Sequence, residues 1–369
     1  ILGGDLFHVR MPKTQTWADA MRVLSKPLLV DNPGIKLIDS SKDLKEIVKR
    51  RTLRHLPVVA IHGNHDRRTK EEQNAVQALE NAGILLHLNL HTVVFEKDGV
   101  KVAVHGMSNV PETYAKPVLD KWNPKPVPGC FNILLMHQSI EPYVFSPIEP
   151  PTISLSNLPK GFDLIVNGHI HEQKEENLGN TKFIMPGSTV VTQFEKSEAE
   201  IRKGYYEIIL KDKPEARFIP LEKSRRFYYE DIQVDAGDAG DQMEHRLKQL
   251  LLTPSNKKPI VRFRLLGKET KLLERDLETI RRKYENKANV MFTKKLVKDG
   301  VDSKMQILKN LMEQKMSIED VGISILNKNL QELGFENSFE GEDIFHLLSE
   351  NNIETVVNVL SGQQSILKK

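Results

Sequence analysis

A series of short apolar segments, most of them ending in a polar motif, constrains the fold of this chain more than any other feature of its sequence. Apolar runs without alternation, bounded by turn residues, predict strands that are covered on both faces. Such runs alternate with stretches of helical spacing, as at 71–82, which is typical of an α/β layered domain over residues 1–215. The predicted strands are 56–61, 100–104, 133–136, 164–166 and 183–185.

Residues that can bind a cation follow most of these segments. Ligands of open α/β sheets bind beyond the carboxyl ends of the strands, so these residues should converge on one edge. One carboxylate, one amide oxygen and several imidazoles suit manganese, iron or zinc better than calcium or magnesium. A single carboxylate can also bridge two cations. The motifs are Asp5-Leu6-Phe7-His8, Gly63-Asn64-His65-Asp66, His137-Gln138-Ser139, Gly168-His169-Ile170-His171 and Pro186-Gly187-Ser188-Thr189.

Length and composition narrow the class of protein. A chain of 369 residues with 28% charged residues has room for two or three domains. No apolar run reaches the roughly 18 residues of a membrane span. The single cysteine, Cys130, excludes an internal disulfide framework and fits a reducing compartment.

Two further regions follow the first domain. Residues 216–298 predict a small α/β module, and 299–369 predict a helical region. Most of a basic block, residues 251–300, lies in the module, with 14 Lys and Arg against 6 Asp and Glu, whereas residues 301–369 carry 6 against 11. The helical region has an apolar stripe at Met305, Leu308, Leu311 and Met312, a capping sequence at 317–320, and a helix that opens at Gly341.

Taken in order, the motifs resemble those of calcineurin-like metallophosphoesterases, and within them those of the Mre-eleven/SbcD nucleases of DNA double-strand-break repair. The resemblance implies a layered αββα metallophosphoesterase sandwich, a small α/β capping domain that contacts DNA, and a helical C-terminal tail. It also implies two manganese ions and a metal-dependent nuclease, both double-strand exonuclease and single-strand endonuclease. The features of this branch are His8 after Asp-Leu-Phe, and Pro186-Gly187-Ser188-Thr189 leading to Thr192, Glu198 and Lys203-Gly204.

The resemblance also assigns roles to individual residues. Asp5 would bridge both metals. One site would be completed by Asn64, His137 and His169, and the other would contain His171.

Three more residues would act on the substrate. His65 would stabilise the transition state and assist the leaving oxygen, and Asp66 would orient His65 by accepting from its far ring nitrogen. His8 would approach the scissile phosphate. For His8 and Asp66, simple loop capping is the alternative. We expect no role in the site for the lone histidines His55, His87, His91 and His105.

The family's first motif, an Asp-x-His at the end of the first strand, does not occur in this sequence, which begins at Ile1. We therefore expect residues upstream of Ile1. For the residues present, we expect one metal to bind well and the second poorly, with reduced turnover.

DNA would be bound through phosphate contacts, which position a duplex without reading its sequence. The alternative for these charges is a solvated surface. The candidate contacts are Arg67, Arg68, Lys257, Lys258, Arg262, Arg264, Arg281, Arg282 and Lys283.

Protein partners are expected at two places. Predicted helices at 16–24 and 71–79 resemble those that form a homodimer bundle in the family, although packing within the domain is equally open. Residues 299–369 resemble the segment that docks on a Rad-fifty-type ABC ATPase, in a helix-in-groove mode. The alternative is that this tail packs on its own domain.

Other functions remain open from the sequence. The chain could be another calcineurin-like phosphodiesterase, or a catalytically weak scaffold subunit that only bridges an ATPase. The compact tail is typical of a prokaryotic, archaeal protein, which predicts a cytoplasmic, chromosome-associated location.

Overall fold

The computed structural model describes most of the chain. Its helices are α1 Thr14–Leu24, α2 Arg51–Arg54, α3 Ala75–Asn81, α4 Glu112–Trp122, α5 Lys196–Glu200, α6 Ala239–Leu251, α7 Leu273–Tyr284, α8 Gly341–Ser349 and α9 Ile353–Leu360. The residues described are 1–43, 51–68, 72–144, 151–210, 214–234, 238–268, 273–297, 320, 322–323, 326–327, 330, 341–349 and 353–360.

The strands are of two kinds, short pairs and longer members of sheets. They are β1 Lys36–Ser40, β2 Val59–Ala60, β3 Leu86–His87, β4 His91–Lys97, β5 Val100–Met107, β6 Phe131–Met136, β7 Ile140–Glu141, β8 Ile153–Ser154, β9 Leu164–Asn167, β10 Lys174–Leu178, β11 Thr181–Met185, β12 Gly204–Ile209, β13 Glu215–Pro220, β14 Phe227–Gln233, β15 Ile260–Lys268 and β16 Asn289–Val297.

A seven-stranded mixed sheet is the centre of the first domain, in the order β1-β4-β5-β6-β9-β11-β10. Its central strands β5, β6, β9 and β11 run parallel to one another, and the outer strands are antiparallel to their neighbours. A smaller parallel pair, β2 and β3, is extended by a bridge from Leu2 to Ala60. Parallel strands have their carboxyl ends at one edge of the sheet, and the predicted cation-binding motifs come directly after these ends.

Burial orders the layers as helix, sheet, sheet, helix. On one side, Leu79 of α3 packs with Ala60 of β2. Between the sheets, residues of β2 and β3 pack against β4, β5 and the fully buried Leu135 of β6. On the other face, Leu119 of α4 packs with Leu134. Successive residues of β6 therefore face opposite layers, as strand geometry requires. The predicted αββα sandwich is confirmed.

Most predicted strands are confirmed, with longer bounds. The exception is 56–61, where only Val59–Ala60 is a strand. Strand β4 was not predicted, and it joins β1 to the sheet by antiparallel pairing. The small α/β module predicted at 216–298 contains the helices α6 and α7 and the strands β14, β15 and β16.

Contacts divide the chain into two compact units. The first contains Ile1–Glu230, Gln249–Arg262 and Tyr284–Met291, and the second contains Asp231–Lys248, Phe263–Lys283 and Phe292–Lys369. The domain boundaries expected at 215 and 298 stay predictions.

The C-terminal region is described in part. A helix opens at Gly341 as predicted, and Ile344 of α8 packs in one cluster with Val356 of α9. The predicted stripe from Met305 to Met312 and residues 317–319 of the capping sequence lie outside the described residues. Among the described residues, no helix is long and apolar enough to cross a membrane.

Candidate metal centre

Four predicted ligands lie together beyond the strand ends. The bridge from Leu2 to Ala60 brings the start of the chain beside β2. Asn64 follows β2, and the two histidines His137 and His169 follow β6 and β9. The structure thus brings Asp5, which follows Leu2 closely in sequence, to the edge where these three strand ends meet.

The donor atoms of these residues form a continuous chain of contacts. Asp5 Oδ2 lies 3.2 Å from His137 Nε2. His137 Nε2 lies 3.3 Å from Asn64 Oδ1, which is 3.1 Å from His169 Nδ1. Atoms that bind one ion at about 2.0–2.2 Å lie roughly 3.0–3.4 Å from each other, so the observed separations fit a shared cation.

The proton positions support the same fit. The Nδ1–H group of His137 donates to the carbonyl oxygen of Gly3 at 2.6 Å. Neutral His137 then has only a lone pair at Nε2, facing two oxygen atoms that also lack hydrogen. His137 is only 2% exposed. Three acceptors in contact repel one another, so either a second proton on His137 or a metal cation must lie between them.

The electrostatics of Asp5 follow from this arrangement. Burial alone would raise the pKa of Asp5, but hydrogen bonding to His137 and its positive charge outweigh burial and hold the pKa below its ordinary value. The backbone N–H of His65 also donates to Asp5 Oδ1 at 2.9 Å. A metal cation would take the place of the proton on His137.

Backbone strain accompanies the site. Asp5 and His169 adopt the left-handed region, with φ of 51° and 73°. Such conformations cost about 1–3 kcal/mol each and cluster at functional sites. His169 Nε2 contacts Ser139 Oγ at 3.1 Å. Burial, together with the charge of His137, lowers the pKa of His169 to about 4, which favours the neutral imidazole that a metal requires.

Imidazole and carboxylate groups alone do not form a complete binding site for one metal ion. Among the described residues, no group of three or more His, Cys, Asp or Glu side chains is placed to hold a metal. The amide oxygen of Asn64 lies in the middle of the chain of donors, between His137 and His169. The candidate centre therefore depends on Asn64.

The fifth predicted ligand, His171, has a separate set of contacts. Its Nδ1 atom lies 2.8 Å from Thr192 Oγ1 and 3.4 Å from Glu198 Oε1. Burial lowers the pKa of His171, and the carboxylate of Glu198 acts in the opposite direction.

The expected partnership of His65 with Asp66 is wrong. His65 Nδ1 donates to the carbonyl oxygen of His8 at 2.8 Å, and the two imidazole rings stack with centroids 5.4 Å apart. Asp66 instead accepts the backbone N–H groups of Leu6, Phe7 and Gly63 at 3.0–3.1 Å. It is 1% exposed, so its carboxylate is directed at these loops and away from solvent. Loop capping, the alternative for Asp66, describes its contacts.

Sequence reasoning missed a buried polar network behind the Gly63–Asp66 loop. His62 Nδ1 lies 2.9 Å from His87 Nε2, which lies 3.2 Å from Ser108 Oγ. Burial lowers the pKa of His62 to about 4 and that of His87 to about 3. Asn109 donates from Nδ2 to the carbonyl of His137. Ser108 and Asn109 directly follow β5, so the strand-end rule used for the other motifs would have found them.

Most of the nine expected phosphate contacts are occupied within the protein. Arg67 donates to Asn109, and Arg262 donates to the carbonyl of Phe194 and lies over the ring of Tyr229. Arg264 binds both oxygens of Asp231 at 2.7 Å. Lys258 donates to the carbonyl of Glu285. The remaining ion pairs are Arg68–Glu72, Arg281–Glu278, Arg282–Glu278 and Lys283–Glu244.

Comparison with known proteins identifies one family model. Residues 1–173 match the calcineurin-like phosphoesterase family. This range contains Asp5, Asn64, His137, His169 and His171, so all the predicted ligands lie within it.

Curated relatives extend the similarity beyond this range. The chain is 26% identical over 262 residues to the double-strand break repair protein MRE11 of Mus musculus, covering 63% of this chain and 36% of that protein. For the Homo sapiens protein of the same name the identity is 27%, with the same coverage. For that of Arabidopsis thaliana it is 25% over 308 residues, or 71% and 42%. The chain thus spans well under half the length of these relatives.

Gly63→Ala tests the packing of the centre. A Cβ atom at residue 63 would collide with Oδ1 and the backbone nitrogen of Asp5. We expect the displaced carboxylate to weaken Mn²⁺ binding by about 10–100-fold, the cost typical of disturbed ligand orientation, in a calorimetric titration. Gly240→Ala, where the nearest atoms lie 3.5–3.6 Å from the added Cβ, is the control. Equal affinity in the two variants would contradict this account of Asp5.

Proposed function

We propose that this chain is a divalent-metal phosphodiesterase that hydrolyses DNA at double-strand breaks, because residues 1–173 match the calcineurin-like phosphoesterase family. The names of the relatives, double-strand break repair proteins, support the substrate. We infer that the activity includes double-strand exonuclease and single-strand endonuclease steps.

One observation supports the chemistry more than any other. The buried Nε2 of His137 faces Asp5 Oδ2 and Asn64 Oδ1 at 3.2 and 3.3 Å, a contact that only a positive charge stabilises. The donor set of oxygen and imidazole nitrogen, without thiolates, suits manganese, iron or zinc better than calcium or magnesium, and we propose Mn²⁺ from the family resemblance. Asn64, His137 and His169 would hold one ion, His171 would contribute to a second, and Asp5 would be shared.

Cations bound there would supply an activated water and neutralise the charge of the phosphate. The chain's own residues would supply proton transfer and contact with the phosphate. With Nδ1–H donated to the carbonyl of His8, the ring of His65 is fixed and its Nε2 is the atom available for proton transfer. As imidazolium, His65 can donate a proton to the leaving oxygen. The stacked ring of His8 lies beside it, where it can contact the scissile phosphate.

His65→Ala should abolish hydrolysis and preserve the metal centre. The loss of general acid catalysis lowers rates about 10²–10⁴-fold, whereas Asp5 keeps its bond from the backbone N–H of residue 65. The measurement is Mn²⁺-dependent digestion of linear duplex and of single-stranded circular DNA, together with calorimetric Mn²⁺ binding.

The control variant is His55→Ala, which lies outside the centre. It should digest DNA at the wild-type rate. If the wild-type chain bound Mn²⁺ but left both DNA substrates intact and hydrolysed a simple phosphodiester, another phosphodiesterase activity would replace the nuclease. Failure to hydrolyse either would indicate a scaffold subunit.

DNA binding is proposed to rest on exposed cations that have no internal carboxylate partner. Lys257 is exposed, and among the described residues its ammonium has no such partner. Lys283 differs, because its ammonium lies 2.6 Å from Glu244. Only a cation that gains a phosphate without losing a carboxylate contributes fully to counterion release. We propose a chromosome-associated location on the same grounds.

Lys257→Gln and Lys283→Gln separate these cases. We expect Lys257→Gln to reduce the slope of log K against log salt by about one unit for duplex DNA, and Lys283→Gln to change it less. Fluorescence anisotropy across a salt series measures both. A flat wild-type plot would exclude phosphate contacts as the basis of binding.

A homodimer is proposed through the first helix. Among the described residues of α1 none is buried, and the apolar side chains of Met21 and Val23 are 42% and 53% exposed. The 3₁₀ turn after α1 exposes 84% of Leu29. The second expected helix gives no such support, because Val76 and Leu79 of α3 are fully buried in their own domain.

A helical partner, proposed to be the coiled coil of a Rad-fifty-type ABC ATPase, would bind the C-terminal helices. Ile344 and Val356 pack against each other's helices. Leu348, Ile353 and Val357 are 42–58% exposed. Exposed apolar residues at helical spacing are what a helix-in-groove partner buries.

Met21→Glu and Val357→Glu test these assemblies together. Placing a charge in an apolar interface should convert the dimer to monomer in the first variant and abolish binding to an ATPase coiled-coil fragment in the second. Sedimentation velocity with and without that fragment measures both. Met291→Glu, at an exposed methionine of β16, should behave as wild type. A monomeric wild-type chain at micromolar concentration would contradict the dimer.

A further inference from the structure

A buried carboxylate lies behind His171, outside the set of predicted ligands. Glu198 is 3% exposed and accepts four hydrogen bonds. Its Oε2 accepts the backbone N–H groups of Thr192 and Gln193, both at 2.9 Å. Its Oε1 accepts from Lys203 Nζ at 3.0 Å and lies 3.3 Å from Thr192 Oγ1. The donors occupy both oxygens, so the position of this carboxylate is fixed.

Lys203 connects the carboxylate to the backbone of the histidine. It is 5% exposed, and its ammonium donates to Ser188 Oγ at 2.7 Å and to the carbonyl oxygen of His171 at 3.4 Å. Buried ion pairs are weak sources of stability, because desolvation offsets their attraction. The remaining bonds of this pair reach the carbonyl oxygen of His171 and the loop at 188–193 beside it, so positioning explains the pair better.

The hydroxyl of Thr192 determines which nitrogen of the His171 ring carries the proton. Glu198 is an ionised carboxylate and can only accept, so the single hydroxyl proton of Thr192 is donated to Oε1. The Thr192 oxygen, 2.8 Å from His171 Nδ1, must then accept from that nitrogen. Glu198 Oε1, at 3.4 Å, is a second acceptor beside the same nitrogen. Two acceptors at Nδ1 require the proton to be there, which leaves the lone pair on Nε2.

We propose that Thr192, Glu198 and Lys203 are positioning residues that hold His171 in the Nδ1–H tautomer with its Nε2 lone pair presented to a metal ion. Hydrogen bonding at the second ring nitrogen fixes the ligand atom of a histidine in this way, and its loss costs about 10–100-fold in metal affinity. The inference rests on the proposed function only in taking His171 as a ligand, because the tautomer exists without metal.

Thr192→Val and Thr192→Ser form a matched pair of variants. Valine has the shape of threonine but no hydroxyl, whereas serine keeps the hydroxyl. In the metal-free full chain labelled with ¹⁵N-histidine, we expect the His171 signals of wild type and Thr192→Ser to show a protonated Nδ1. Thr192→Val should show a mixture of tautomers. A His171→Asn sample assigns the signals.

Calorimetric titration with Mn²⁺ gives the second measurement. Thr192→Val should weaken the His171-dependent site about 10–100-fold, and Thr192→Ser should restore it. If Thr192→Val does not fold, Glu198→Gln replaces it. An amide at this position can donate to Thr192, so that the Thr192 hydroxyl donates to His171 Nδ1 and the direction of both hydrogen bonds is reversed.

The outcomes separate the inference from the proposed function. Wild-type tautomer and Mn²⁺ affinity in the folded Thr192→Val variant would overturn the inference. A tautomer that changes in Thr192→Val, in a chain that binds no Mn²⁺, would support the positioning of His171 and overturn its assignment as a ligand.

Discussion

The contact of Asp5 Oδ2 with the buried Nε2 of His137 is the interaction on which the rest of the centre depends. Two acceptors with Asn64 Oδ1 beside them are unfavourable unless a positive charge is present. The surrounding fold holds these three atoms together. Asp5 adopts a left-handed backbone, and Gly63 and Gly168 lie where any side chain would collide with the start of the chain. The sheet edge thus holds acceptor atoms around a position that needs a positive charge, either the proton of His137 or a bound cation.

Two different polar networks support this centre from behind. The Gly63–Asp66 loop lies on neutral imidazoles, since burial lowers the pKa of His62 and His87 far below neutrality. His171 lies instead on an ion pair. Burial alone would raise the pKa of Glu198, but backbone N–H groups and the charge of Lys203 hold it below its ordinary value. A neutral network adds no net charge beside the centre, whereas the ionised one can fix the proton on the ring of His171.

The fold and the residues that lie together at the candidate centre were predictable from sequence, but the orientations of their side chains were not. Apolar runs without alternation reveal buried strands, and the residues after them share an edge, which is enough to predict that Asn64 and His169 lie together. The local sequence does not predict which atom of a side chain faces the centre. The expected partner of Asp66 is the ring of His65, yet its short carboxylate accepts the backbone N–H groups of Leu6 and Phe7. Such partners come from distant loops, so they depend on tertiary structure.

The partners of surface charges also depend on tertiary structure, so charge counts alone do not predict them. The basic block, residues 251–300, has a formal excess of eight positive charges, from 14 against 6. Arg264, however, binds Asp231 with both arms of its guanidinium, and Lys283 binds Glu244, and both acids lie outside the block. A phosphate must compete with these carboxylates for the same donors, and exchange between two anions gains little free energy. The field available to a nucleic acid is therefore smaller than the sequence suggests, and it is concentrated at residues such as Lys257.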